Sequence, residues 1–275
     1  MRWSSFLVFS LACLSLFSVS FVFRGETTPP PRGDSPNPHR SPMDLAVLPG
    51  GGRALTANHT SDTASLIDLK EGKVLAEQAV GRKPSAVACS RDGKRAAVSN
   101  LWAKTVTLLE ISDASVKAVV EVEVGPLPRG LVFAPDGNVL YAAVAGSDEV
   151  VSLDWNSRKV TQRWPAPREP RDLALSADGR LLAAASTRSA QVRVWDTQTG
   201  KLLWERTLSD AFNLRGLTFT PDGKDLVCAH AHKREFPVAQ HNIDSGWVID
   251  NSLSRLPVAT VARPEYWQIG LDIRG

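Results

Sequence analysis

The sequence predicts an all-β fold of the propeller class, with five recognisable four-stranded blades. One pattern occurs five times: an apolar stretch, a glycine turn, a strand of small residues and a further strand that ends in an acid. The turn glycines recur at intervals of 42 to 44 residues, at Gly51, Gly93, Gly137, Gly179 and Gly223. A period of about 40 to 45 residues that is built from short strands is typical of a β-propeller with one blade per repeat.

The third repeat illustrates the four strands in order. Residues 131–134 are an apolar run, which is typical of a first strand that is covered on both faces. Pro135, Asp136 and Gly137 then favour a tight hairpin turn. The second strand consists of small residues, the third alternates and ends in an acid, and the fourth carries the charges that protect an outer edge.

An acid marks the end of the third strand. It lies 17 residues after the glycine in the first four repeats, at Asp68, Glu110, Asp154 and Asp196. In the fifth repeat we assign Asp250 to this position, which leaves ten extra residues between the second and third strands. This insertion is basic and contains three of the five histidines, so we expect it to carry functional residues.

Two segments precede the propeller, which we assign to residues 43–275. Residues 6–23 form an apolar run without a charge, so residues 1–23 are either a cleaved signal peptide or a membrane anchor that tethers the chain. Residues 24–42 are rich in proline and predict a disordered linker. Both alternatives for the apolar run place the rest of the chain in the periplasm, in the cell envelope or outside the cell.

Two repeats resemble known propeller repeats. Residues 58–75 resemble the YVTN-type repeat of secreted bacterial proteins, and residues 192–203, with Trp195 followed by Asp196, resemble a WD40 repeat. The resemblance implies a β-propeller over residues 43–261 but no particular function, because such propellers include binding scaffolds, lyases, lactonases and quinoprotein subunits. YVTN propellers commonly close with seven blades. The five repeats are therefore either a five-bladed ring or an incomplete seven-bladed ring with open blade faces that favour self-association.

A second resemblance concerns the end of the chain. Residues 230–274 resemble part of envelope propeller proteins that often continue into a cytochrome c domain. This chain contains no Cys-x-x-Cys-His sequence, so we expect no covalent haem in it, and the residues identify no other cofactor.

An arginine recurs at one position of three consecutive repeats. Arg129, Arg171 and Arg215 each lie eight residues before a turn glycine, which places them at the same end of the central channel. Guanidinium groups arranged in this way suit carboxylates or phosphates. The alternative is that each arginine pairs with a neighbouring acid such as Glu169 or Asp172.

The loops on the same rim provide further candidate ligand-binding residues: His59, Asn100, Trp102 and His230. His230, His232 and His241 have the residue types of a zinc or copper site with three nitrogen ligands. The alternatives for this part of the chain are a polar ligand-binding rim and an inert loop.

These observations predict a non-enzymatic binding or scaffold module of the envelope or secreted type. Its partner would be a protein or an anionic small molecule that binds the rim with the arginines and the histidine-rich insertion. The formal net charge of +3 is spread along the chain, so we expect no nucleic-acid partner. The alternative is an enzyme or redox-associated subunit, either cytochrome-linked, quinoprotein-linked or metal-dependent, that uses the same rim.

Overall fold

The computed structural model describes residues 40–233, 239–241 and 249–258. The predicted signal or anchor segment, most of the proline-rich linker and much of the histidine-rich insertion lie outside these residues. None of the described segments forms a helix with the length and hydropathy that a membrane crossing requires. The described elements are antiparallel strands, in agreement with the predicted all-β fold.

The strands form successive blades, and in blades 1 to 4 the four strands pair in chain order. Blades 1 and 2 consist of β1 (Pro42–Val47), β2 (Arg53–Asn58), β3 (Thr63–Asp68), β4 (Lys73–Ala79), β5 (Pro84–Cys89), β6 (Arg95–Asn100), β7 (Thr105–Ile111) and β8 (Val116–Glu123). Blades 3 and 4 consist of β9 (Pro128–Phe133), β10 (Val139–Val144), β11 (Glu149–Asp154), β12 (Lys159–Pro165), β13 (Pro170–Leu175), β14 (Leu181–Ser186), β15 (Gln191–Asp196) and β16 (Leu202–Thr207). Blade 5 contributes β17 (Ala211–Phe219), β18 (Asp225–Lys233) and β19 (Ile249–Pro257).

The core lies between neighbouring blades. The second strands, which are rich in alanine, are buried along nearly their whole length in blades 1 to 4, because small side chains let adjacent sheets approach closely. Larger side chains fill the outer part of each interface. Between blades 3 and 4, for example, Trp164 stacks on Tyr141 at 5.7 Å and on Trp195 at 6.4 Å between ring centroids.

The first strands differ from the prediction that they are covered on both faces. β5, β9 and β13 are only partly buried, because they form the inner edge of the blades and line the central channel. The fourth strands β4, β12 and β16 are mostly exposed at the outer edge, as the sequence predicts.

Blade 5 corrects one sequence assignment. In the first four blades the acid after the third strand pairs with the residue that begins the second strand, as Asp68 does with Arg53. In blade 5 the residue opposite Asp225 is Pro257, and Asp250 instead faces His232. The insertion is therefore longer than predicted, and its ends extend β18 and β19 to nine residues each. Sequence spacing could not reveal this, because cross-strand pairing, not the presence of an acid, decides which residues correspond.

The described blades form an open series. Inner strands pack as neighbours from β1 through β5, β9 and β13 to β17, and within the described residues this packing is not repeated between β17 and β1. On the face of blade 1 that points away from blade 2, Leu45 is 60% exposed and Val47 is 54% exposed. We call this surface the open face of blade 1.

Candidate functional site

The arginine position lies at a β-bulge, which is a place where two residues of one strand face one residue of the next. Arg171 lies between Pro170 and Asp172, which pair with the consecutive residues 186 and 185 of β14. Arg129 lies within a similar shift at the start of β9, and Arg215 lies between two shifts in β17. A bulge bends its strand and redirects a side chain, so this irregularity directs Arg129 and Arg171. Arg215 is instead paired with Ala229, and the unpaired residue beside it is Gly216.

A proline precedes the bulge in four blades, and this is a signal that the sequence interpretation missed. Pro42, Pro84, Pro128 and Pro170 each lie nine residues before a turn glycine and begin the first strand of their blade. Proline is tolerated at a strand's first residue because its missing N–H group removes no ladder hydrogen bond there. The residue before each proline has a positive φ, for example 56° at Lys83 and 52° at Glu169.

The bulge residues line a cavity of about 330 Å³ in the central channel. Met43, Ser85, Arg129 and Arg171 come from the bulge position of blades 1 to 4. The next position in the chain adds two carboxylates, which the sequence interpretation did not place at the site. They are Asp44 and Asp172.

Both carboxylates are hydrogen-bonded to a neighbouring inner strand. Asp44 Oδ2 accepts the N–H of Val87 at 2.9 Å, and Asp172 Oδ2 accepts the N–H of Gly216 at 2.8 Å. Burial raises the pKa of Asp44, although the two backbone N–H groups that it accepts oppose this effect. These aspartates therefore join inner strands across blade boundaries.

The positive charges of Arg171 and Arg215 act on Arg129. Burial lowers the pKa of Arg129, and the charges of Arg171 and Arg215 lower it further, while Glu169 opposes them. Like charges that share a partly desolvated site disfavour each other's charged form. Arg129 is thus held among other cations in a place that an anion would stabilise.

The predicted acid partners of these arginines are engaged elsewhere. Glu169 accepts a hydrogen bond from Arg188 Nη1 at 2.7 Å, and Asp172 accepts the backbone N–H already described. Arg215 donates from Nε to Asn213 Oδ1 at 2.9 Å. Within the described residues, no hydrogen bond or salt bridge reaches the guanidinium of Arg129 or Arg171. The expected acid pairing is therefore absent from this part of the chain.

His59 and Trp102 lie in the loops that follow β2 and β6. His59 Nδ1 is 2.9 Å from the carbonyl oxygen of Pro84. Trp102 is exposed, and two cations lie over its ring, with the guanidinium carbon of Arg82 at 5.7 Å and the Lys83 ammonium at 5.4 Å from the centroid. These cations were not among the predicted site residues.

Asn100 and His230 do not lie on the exposed rim, contrary to the sequence interpretation. They occupy one repeat position, seven residues after the turn glycine, and the exposed fraction is 0% for Asn100 and 5% for His230. Asn100 Nδ2 donates to the hydroxyls of Thr105 and Thr107, and His230 Nε2 lies 2.7 Å from Ser254 Oγ. Side chains at this position face the preceding blade, so they stabilise the blade boundary.

The predicted three-histidine metal site is not formed. Among the described residues, which include His230, His232 and His241, no three histidine, cysteine or acidic side chains are close enough together to hold a metal ion. The reason is that His230 faces inward between blades 4 and 5, where it contacts Ser254.

Comparison with known proteins identifies the family. The family model described as the cytochrome D1 heme domain matches residues 60–252, which run from the loop after β2 into β19. The chain is 28% identical over 148 residues to the seven-bladed beta-propeller protein Rv1057 of Mycobacterium tuberculosis. That match covers 52% of this chain and 37% of the relative, so the chain matches well under half of the relative's length.

Solved structures agree on the architecture. Hydrazine synthase of Kuenenia stuttgartiensis superimposes with a TM-score of 0.76 and 25% identity, covering 87% of this chain and 70% of that chain. A putative 6-phosphogluconolactonase from Bacteroides uniformis superimposes with a TM-score of 0.63 and 16% identity, covering 83% of this chain and 71% of that chain.

The family name implies a haem, and the channel residues allow this to be tested. Haem iron is held in proteins by histidine, cysteine, methionine or tyrosine. The described lining of the channel cavity contains Met43 as its one residue of these types, beside the arginines and aspartates. Without an imidazole, thiolate or phenolate to pair with that thioether, these residues do not fit a haem iron site.

The match to the family model rests on the repeats themselves, since it spans four of the five turn glycines and more than half of the chain. The fold of the described blades agrees with it. This protein therefore belongs to the cytochrome D1 heme domain family of β-propellers.

Proposed function

We propose that this protein is a non-enzymatic binding module that takes a small anion at the channel end where Arg129, Arg171 and Arg215 lie. One observation carries the proposal: Arg129 and Arg171 line one partly buried cavity without a hydrogen bond or salt bridge to an acid in the described part of the chain. An anion there would relieve the mutual repulsion of the guanidinium groups.

The arrangement suits carboxylate or phosphate oxygens. A guanidinium group is planar and presents its N–H donors in a fixed fork, which matches two oxygens of one anionic group. Charge-assisted hydrogen bonds of this kind contribute about 1.5 to 3 kcal/mol each. The lining of the channel cavity carries two arginines and two aspartates, and both aspartates already accept backbone N–H groups of a neighbouring inner strand. Arg215 adds a further cation, close enough to lower the pKa of Arg129.

The proposal includes a location outside the cytoplasm, in the periplasm, the envelope or the medium. Its support is the apolar run of residues 6–23 in the sequence, followed by the proline-rich segment. Residues 1–39 lie outside the described part of the structure. N-terminal sequencing of the protein from its native host, compared with membrane fractionation, distinguishes a cleaved signal from an anchor.

Titration with inorganic phosphate tests the binding function. We expect calorimetry at low ionic strength to detect phosphate binding that weakens with added salt, and Arg129→Gln or Arg171→Gln to reduce the affinity about ten-fold or more, since each 1.4 kcal/mol corresponds to a factor of ten. Arg180→Gln is the control, because Arg180 lies beside the turn glycine on the opposite rim and contacts Asp196.

The proposal fails if phosphate does not bind the wild-type protein. It also fails if the variant with all three arginines replaced by glutamine binds phosphate as the wild-type protein does. Circular dichroism of each variant shows whether the blades are folded.

The alternative is an enzyme or redox-associated subunit that uses the same end of the channel. What favours it is the likeness to two proteins whose names denote enzymes, hydrazine synthase and a putative 6-phosphogluconolactonase. Purification from the native host separates the redox-associated form of this alternative from the binding module. A redox-active partner subunit that stays bound to the wild-type protein and is lost from the Arg129→Gln, Arg171→Gln variant would support the redox-associated subunit.

A further inference from the structure

A second cavity of about 480 Å³ opens on the rim between blades 3 and 4. We call it the rim cleft and define it by Arg129, Asp148, Arg168, Glu169 and Arg171. Arg129 and Arg171 line both the rim cleft and the channel cavity. The two cavities therefore adjoin at these two side chains, and Arg168 adds a further cation on the rim side.

The acids of the rim cleft are already engaged. Asp148 Oδ1 accepts the backbone N–H of Glu169 at 2.7 Å, and the Glu169 carboxylate accepts a hydrogen bond from Arg188. In the described part of the chain, no hydrogen bond or salt bridge reaches the guanidinium of Arg168. The rim cleft therefore has cations that its own acids do not bind directly.

A buried hydroxyl organises the loops that carry these cations. Ser186 is fully buried, and its Oγ donates to the carbonyl oxygen of Arg168. The same oxygen accepts the N–H groups of Arg188 at 3.1 Å and Ser189 at 2.9 Å. The loop before β13 and the loop after β14 are thus joined through one atom, which fixes the backbone at Arg168.

We propose that the ligand of this protein is a small molecule with two anionic groups, one in the channel cavity and one in the rim cleft. Arg129 and Arg171 lie where the two cavities adjoin, between the two anionic groups of the ligand. Arg168 binds the anionic group that lies in the rim cleft. This inference rests on the proposed function, because it assigns the chemical class of the anion that the arginines bind. It goes further in requiring a second charge and in giving Arg168 a role that a single small anion would not need.

The test compares ligands that differ by one anionic group. Succinate is compared with butyrate, and 2-phosphoglycolate with methyl phosphate, by calorimetry on the full chain. We expect at least one ligand with two anionic groups to bind ten-fold or more tightly than its counterpart, and the two pairs distinguish a dicarboxylate from a phosphorylated acid. Arg168→Gln should remove that advantage and leave the affinity for butyrate and methyl phosphate unchanged, whereas Arg180→Gln should change neither.

The outcomes separate this inference from the proposed function. If phosphate binding depends on Arg129 and Arg171 but neither second anionic group increases affinity, the inference is wrong and the binding function stands. If Arg168→Gln weakens all four ligands equally, the rim cleft is not a separate subsite and the inference is again wrong. If no anion binds the wild-type protein, both proposals fail.

Discussion

Gly130→Ala is the substitution that the geometry of the site makes most informative. A Cβ atom built at Gly130 would lie 2.4 Å from the carbonyl oxygen of Arg171 and 3.3 Å from the Cα of Asp172. Both atoms are backbone atoms of β13, so the clash cannot be relieved by rotating a side chain. Blades 3 and 4 would have to separate at the channel, where Arg129 and Arg171 lie.

The expected cost is about 1 to 3 kcal/mol, which is typical when extra atoms force backbone shifts in a packed interior. For a domain of 150 to 250 residues this corresponds to a decrease of about 2 to 4 °C in Tm for each kcal/mol. Urea unfolding followed by tryptophan fluorescence measures the change. Phosphate titration of the same variant measures whether the arginine geometry changes with it.

Gly52→Ala is the matched control. No atom lies within 4 Å of a Cβ at Gly52, and its φ is not in the left-handed region, so the substitution should be neutral or slightly stabilising. If Gly130→Ala unfolds at the same urea concentration as Gly52→Ala, the close approach of β9 and β13 is not a feature of the folded protein.

Two other predictions concern blade 1. Burial raises the pKa of the Asp44 carboxyl, so the folded state binds its proton more tightly than the unfolded state does. As the pH rises above about 4, the ordinary pKa of an aspartate, ionisation of Asp44 therefore lowers the stability of the folded wild-type protein. Asp44→Asn should therefore gain stability relative to wild type with rising pH, and a constant difference across the pH series of urea unfolding would contradict this. The double variant Leu45→Lys, Val47→Lys should self-associate less than the wild-type protein in light scattering, because both residues are exposed on the open face of blade 1. A wild-type protein that is monomeric at all concentrations would contradict this prediction.

The channel is the feature that separates this chain from what its family name implies. A haem domain needs an axial ligand for iron, and the described channel residues instead bring arginines and aspartates together. A β-propeller can support different sites because the blades provide the scaffold, while the inner-strand residues provide the chemistry. We propose that in this chain those residues bind an anion.

The repeat spacing determined the architecture. Turn glycines, alanine-rich second strands and outer strands with charges are local features, and each recurs at a fixed interval, so blade number and strand order in blades 1 to 4 follow from the sequence alone. The same spacing identified Arg129, Arg171 and Arg215 as equivalent residues.

Only the tertiary structure decided which side chains face the channel, face a neighbouring blade or pair with each other. Asn100 and His230 read as rim residues because they end a strand, yet the adjacent blade covers them. Asp250 was assigned from its residue type, whereas the longer pairing of β18 with β19 gives that place to Pro257. Contacts between blades join residues about 40 positions apart, and the sequence pattern of one repeat does not contain that information. For the same reason, the hydrogen bonds that engage Glu169 and Asp172 could be found only in the folded chain.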